Sequence, residues 1–211
     1  MTETNADFQS VLARLELLED REQIRGVISR YSRGVDRTDP DAARSTLWPE
    51  AQLVVGAVEE LGKVRDTAAT FIDPLFGKYI GEILAATHHM VGNMIIDVHG
   101  KTARAETYAV AHHLTYPTEQ SNDAVVGLQN IRAEDRAKVH ELVIGLRYLD
   151  RFEKRGKVWK IIERKLVFDW CRHGLFSGVE SGGLWGTSTK LRGARKAEDP
   201  SYECFHDTSG G

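Results

Sequence analysis

From Ile24 onward apolar residues recur at three-and-four spacing, through Val27, Ile28, Tyr31 and Val35, and at about 100° per residue they form one stripe of an amphipathic helix that faces a core. Leu12, Leu15 and Leu18 form an earlier group of the same period, so a helix from about Asp7 to Asp36 is predicted to break near Asp20, where the phase changes. Asp39-Pro40-Asp41 then supplies an N-cap, a proline at the first helical position and a first-turn acid for a short helix to about Leu47. Trp48 to Gly56 reads as a loop entering a strand, and Gly62 lies in a turn before a helix holding Ala68, Ala69, Ile72 and Leu75. At Thr87 the period becomes two: Met90, Gly92, Met94 and Ile96 alternate with His89, Val91, Asn93 and Ile95, a strand with apolar groups on both faces. A turn at His99-Gly100 leads into a strand from Thr102 to Tyr116, and Leu142–Glu153 and Val158–Asp169 form a hairpin around Lys154-Arg-Gly-Lys. Helices followed by a meander imply an α+β domain in which a curved antiparallel sheet folds over the early helices.

Two stretches escape this pattern. Residues 117–138 hold a polar run and then alternating charge, which reads as a loop or short exposed helix, either a lid or a surface insertion with no part in binding. From Arg172 the chain is glycine-rich yet carries Phe176, Leu184, Trp185 and Phe205; such groups want a surface, so this tail reads as an arm laid over the domain or a neighbouring subunit, with disorder as the alternative. The boundary falls between a domain of residues 1–172 and an arm of residues 173–211.

With 211 residues there is room for one domain with a real core, and a formal charge of −3 with interspersed signs provides no basic field for nucleic acid or an acidic membrane. Cys171 and Cys204 make neither a disulfide framework nor a metal knuckle, and neither a membrane-spanning run nor a signal peptide is read in the sequence, so a cytoplasmic protein acting on small molecules is expected.

The chemistry gathers at Tyr31-Ser-Arg-Gly-Val-Asp36. A carboxylate in the last turn of a helix meets the negative end of the macrodipole, which tends to raise its pKa and suits a general base; the plainer reading is a solvated acid paired with Arg33 or Arg37. Of the pairs His88-His89 and His112-His113, each can present one ring inward, because adjacent strand residues point to opposite faces. No carboxylate or cysteine cluster accompanies them, so no metal is expected. No phosphate-binding loop and no Gly-x-Ser-x-Gly elbow occurs. Tyr31, Asp36 and one histidine from each pair would converge on an apolar interior lined by Trp48, Phe71, Phe76 and Trp170, a pocket for proton transfer; for Tyr31 the competing reading is a core tyrosine with its hydroxyl satisfied.

Ile24…Tyr31-Ser-Arg-Gly-Val-Asp36-Arg, Thr87-His-His89-Met-Val-Gly-Asn93 and Tyr148-Leu-Asp-Arg-Phe-Glu-Lys…Val-Trp159-Lys-Ile, in this order of elements, resemble the SnoaL-like branch of the nuclear-transport-factor-2-like superfamily over about Leu18 to Trp170. That resemblance implies a cone-shaped α+β barrel. In the similar hexachlorocyclohexane dehydrochlorinases an Asp after Gly-Val and a His followed four residues on by Asn form the catalytic dyad, which carries over to Asp36 and His89 and leaves His88 on the other face. Bile-acid 7α-dehydratases add a Tyr at the spacing of Tyr31 from Asp36, and scytalone dehydratases add a second-strand His, matched to His112. The resemblance departs at Tyr31, where the dehydrochlorinase has Lys, and at Phe168, near which the bile-acid enzyme's late Arg would fall. It implies a cofactor-free lyase, often a homotrimer, that expels water, halide or formaldehyde from a bulky cyclic or aromatic molecule. Isomerases and non-catalytic binders of hydrophobic ligands share the fold.

Overall fold

The computed structural model describes residues 2–55, 65–178, 182–183 and 192–206. Helix α1 (Thr2–Asp36) is followed by α2 (Pro40–Ser45), strands β1 (Leu47–Val55) and β2 (Arg65–Thr67), helix α3 (Ala68–Pro74) and a π-helical stretch (Leu75–Ile83). Strands β3 (Leu84–His99), β4 (Thr102–Thr115), β5 (His140–Arg155) and β6 (Val158–Leu175) then form the meander, with α4 (Glu119–Val125) between β4 and β5 and α5 (Ser201–His206) near the end. Among the described residues the sheet has six strands in the order β2-β1-β6-β5-β4-β3, antiparallel except where β1 runs parallel to β6. The α+β order expected from periodicity is the order found. Gly62, expected in a turn, lies outside the described residues, as do Leu184 and Trp185 of the tail.

One concave sheet face holds α1. Ile24, Val27, Ile28, Tyr31 and Val35 are all buried there with Ile72, Phe76, Ile80, Phe152, Trp159 and Ile161, each large apolar side chain contributing about 1.5–3 kcal/mol by leaving water. The helix does not break near Asp20. Asp20 is buried and accepts hydrogen bonds from Trp159 Nε1 and Lys154 Nζ, both at 2.7 Å, while every side chain from Asp7 to Glu19 is exposed. The change of phase therefore marks where a continuous helix leaves the sheet.

The chain from 117 to 138 is tied down by Asn122, which is fully buried: its amide donates to the carbonyls of Arg136 and Lys138 at 2.7 and 2.8 Å, and its oxygen accepts from Thr115 Oγ1 at 2.5 Å. No helix among the described residues is long and apolar enough to cross a membrane.

A buried carboxylate–imidazole pair at the end of the first helix

The stripe of α1 carries Asp36 to the sheet edge. β3 is the edge strand, which leaves the His89 amide N–H unclaimed by a ladder on its outer side; it donates to Asp36 Oδ2 at 2.9 Å, while the ring Nδ1 lies 2.7 Å from Oδ1. A carboxylate only accepts, so Nδ1 carries the hydrogen and Nε2 is left with a free lone pair. Both side chains are 8% exposed. Burial pushes the Asp36 pKa up, but the hydrogen bond from the His89 ring, the charge that ring can carry and its backbone N–H together outweigh it and hold the carboxyl below its ordinary range. This corrects the expectation of a raised, base-like Asp36. The helix end contributes a partial charge, whereas two hydrogen bonds act at contact, so Asp36 stays ionised.

His113, not His112, joins this pair. Thr87 pairs with His113, His88 with His112 and His89 with Ala111, and directly paired residues share a sheet face. His112 thus lies beside His88 on the convex side, its Nδ1 3.3 Å from Glu141 Oε1. The inversion comes from a β-bulge: Val91 pairs with Ala109 and Met94 with Thr107, so Gly92 and Asn93 together oppose Tyr108. Below the bulge Met94, Ile96 and Val98 point inward; above it Val91, His89 and Thr87 do. That switch also explains why β3 reads as apolar on both faces, with Met90 and Ile95 turned out and exposed. The His113 ring meets the His89 ring edge-on at 5.6 Å, and burial, followed by the neighbouring His89, pushes its pKa down to about 4, so it is neutral near neutral pH.

The row His89–Ala111–Ile144–Cys171 crosses the concave face, with the row Val91–Ala109–Leu146–Phe168 beside it. Ala109 and Ala111, both buried, keep the wall thin next to His89. Deeper in, Arg164 is fully buried and donates from Nε and Nη2 to Asp150 at 2.8 and 2.7 Å, its guanidinium sandwiched between the rings of Tyr31 and Tyr148, each 4.2 Å away. Its Nη1 has no hydrogen-bond partner among the described residues. Burial pushes the Tyr31 and Tyr148 hydroxyls up in pKa against the pull of Arg164, so both stay protonated.

The expected apolar lining is only partly assembled. Phe76 is buried in the core and Phe71 packs against it. Trp48 instead sits at the hairpin end of β5, where its Nε1 donates to the Glu153 carbonyl at 3.1 Å and Arg155 covers its ring at 4.3 Å. Trp170 is half exposed on the convex face, over Gly145, because an extra residue in β6 between the partners of Gly145 and Leu146 turns it outward. The residues that sequence reasoning missed are His113, Arg164, Tyr148 and Asp150; a glycine inside strand β3 was the available signal for the bulge that turns His89 to the face of His113.

The profile of the SnoaL-like domain family matches residues 16–165. No curated protein matches the sequence. Among solved structures, a hexachlorocyclohexane dehydrochlorinase from Novosphingobium barchaimii is 16% identical, covering 81% of this chain and 99% of its own, with a TM-score of 0.58. A candidate scytalone dehydratase from Novosphingobium aromaticivorans is 17% identical over 74% of this chain and 89% of its own, with a TM-score of 0.56. A Mycobacterium tuberculosis protein of unknown function is 14% identical over 73% and 74%, with a TM-score of 0.50. At such identities the likeness establishes the fold, and each reaction belongs to the protein that bears it.

Proposed function

Since the chain belongs to the SnoaL-like domain family, we propose that it is a cofactor-independent lyase eliminating water or halide from a bulky cyclic or aromatic small molecule, with His89 as the base. One observation carries this reading: Asp36 takes the backbone N–H and the ring Nδ1–H of His89, one on each oxygen, leaving the Nε2 lone pair unused among the described residues on a concave wall of small residues.

Nε2 takes the proton from the carbon next to the leaving group. The C–H electrons form the new double bond, and the leaving group departs with its bonding pair. Imidazolium then forms against the Asp36 carboxylate, which stabilises it without taking the proton. A departing hydroxide becomes water by taking a proton from the Tyr31 phenol, which the His89 imidazolium then restores, while the neutral N–H of His113 hydrogen-bonds the oxygen; a halide leaves as the anion. Returning the proton to a different carbon would make the same groups an isomerase.

The proposed assembly is a homo-oligomer, a trimer by resemblance. Met90, Ile95, Tyr108, Leu149 and Trp170 are exposed on the convex sheet face, a set of apolar groups suited to burial against another copy; native mass spectrometry tests the copy number.

Incubation with pools of cyclic alcohols and halides, followed by mass spectrometry, tests the reaction. Loss of water or hydrogen halide is expected, with a primary isotope effect on kcat/KM when the abstracted hydrogen is deuterium. Tight binding of such compounds without turnover would assign the cone to ligand storage instead.

A further inference from the structure

Residues 193–202 lie far from α1 in sequence but meet its end. Arg37 Nη1 donates to Asp199 Oδ2 at 2.5 Å and to the Ala194 carbonyl at 2.9 Å, and the Ala194 N–H returns to the same Asp199 oxygen at 2.9 Å. The Lys196 N–H caps the Arg37 carbonyl at 2.5 Å, supplying a donor where a helix end leaves its carbonyls unsatisfied. On the flanks, Arg33 Nη2 donates to Ser201 Oγ at 3.1 Å and covers the Tyr202 ring at 4.5 Å, while the Tyr202 hydroxyl donates to Asp39 Oδ2 at 2.6 Å. Asp199 itself is buried and takes Ser201 Oγ and N–H on its other oxygen, at 2.5 and 3.0 Å. Arg195 reaches across to the Ile80 carbonyl at 2.8 Å, joining this segment to the π-helical stretch.

These contacts fall on Arg33, Arg37 and Asp39, on both sides of Asp36, whose own oxygens are taken by His89. Thr38 and Lys196 both have φ of 53° where the two segments meet, a left-handed backbone that side chains adopt only when the surroundings enforce it. This segment also lies beyond residue 165, where the family match stops.

We propose that residues 193–202 form a clasp and that Asp199 is a positioning residue, locking the last turn of α1 so that Asp36 meets His89 at hydrogen-bond distance. The inference rests on the reading of Asp36 and His89 as the working pair. A carboxylate on a helix terminus rides on the least constrained turn of that helix, and misplacement of a reacting group by about 1 Å costs about a hundredfold in rate. A short cap at the end of α1 would leave that turn free to fray; the clasp removes the freedom by tying it to a separate stretch of chain.

The test is the proton NMR line of the hydrogen-bonded His89 Nδ1–H, recognised by its loss in His89→Ala, and its exchange with water in full-length protein. Asp199→Ala is expected to speed that exchange by about tenfold or more, since local opening controls it, whereas Arg155→Ala, which removes a distant ion pair with Glu50, leaves it unchanged. Ser201→Ala, which deletes a bond to Asp199 and one from Arg33, should give a smaller acceleration and serves if Asp199→Ala does not fold. Unchanged exchange in whichever of the two variants folds overturns the clasp. The dyad reading fails by a different result, full turnover in His89→Ala, and the NMR line reports on the clasp in either case.

Discussion

The ring of His113 presents to the ring of His89 at a centroid distance of 5.6 Å and an interplanar angle of 64°, with His89 in turn fixed by Asp36 at 2.7 Å. In the proposed elimination, the neutral His113 imidazole beside His89 hydrogen-bonds the departing oxygen. His113→Ala should therefore lower kcat/KM by about ten- to a hundredfold, and His112→Ala, on the opposite face, by less than about twofold. Steady-state kinetics of the two variants decide it; equal losses would reject the face assignment.

The Asp36–His89 pair predicts larger effects. Asp36→Asn and His89→Ala should each reduce kcat/KM by on the order of a hundredfold or more, with His88→Ala close to wild type. Asp36→Asn keeps the shape but loses the anion that stabilises imidazolium, so its loss should appear mainly in kcat.

Stability should fall on mild acidification. The pKa of His113 is about 4 in the folded chain against an ordinary histidine value of 6.5, so between those values the unfolded chain binds a proton that the folded one refuses. Its contribution, on the order of 3 kcal/mol, is complete above about pH 6.5 and is lost as pH falls toward 4. His173, pushed down by burial and then by His140, acts in the same direction. Asp36, also lowered, adds a contribution present above the ordinary carboxylate pKa and lost as pH falls through its folded value. Urea unfolding at pH 7 and pH 4.5 measures the drop, and His113→Gln should shrink it.

Arg164 and Asp150 are each fully shielded from solvent along their side chains. Asp150→Ala strands a buried cation between two phenol rings and should cost about 3–5 kcal/mol. Adding Arg164→Met to that variant should recover part of the loss. Chemical denaturation checks both, and a single-variant cost below about 1 kcal/mol would show that the pair is hydrated in solution.

Exhaustive chelation should leave activity unchanged, because no group of three or more His, Cys, Asp or Glu side chains among the described residues is arranged to hold a metal ion. Turnover before and after treatment with a strong chelator is the measurement; loss of activity restored by one added metal would overturn it.

What residue pattern alone determined is local. The three-and-four repeat from Ile24 to Val35 specified which side of α1 meets the sheet, the cap at Asp39 is realised by its side chain accepting from Ala42 N–H, and the change to a two-residue period at β3 announced the meander. The same stripe carried Tyr31 and left Asp36 at its edge, where the helix ends. Only the tertiary structure decided which histidine of each pair shares their face. Without the bulge at Gly92–Asn93, counting back from the turn at Gly100 would pair His89 with His112; one extra residue moves His89 opposite Ala111 and so onto the face of His113. The protonation state of Asp36, the Tyr31–Arg164–Tyr148 stack and the Asp199 clasp were equally beyond reach, because each depends on groups distant in sequence. Periodicity reports which side of one element is apolar, whereas register, burial and long-range hydrogen bonds decide what that side meets.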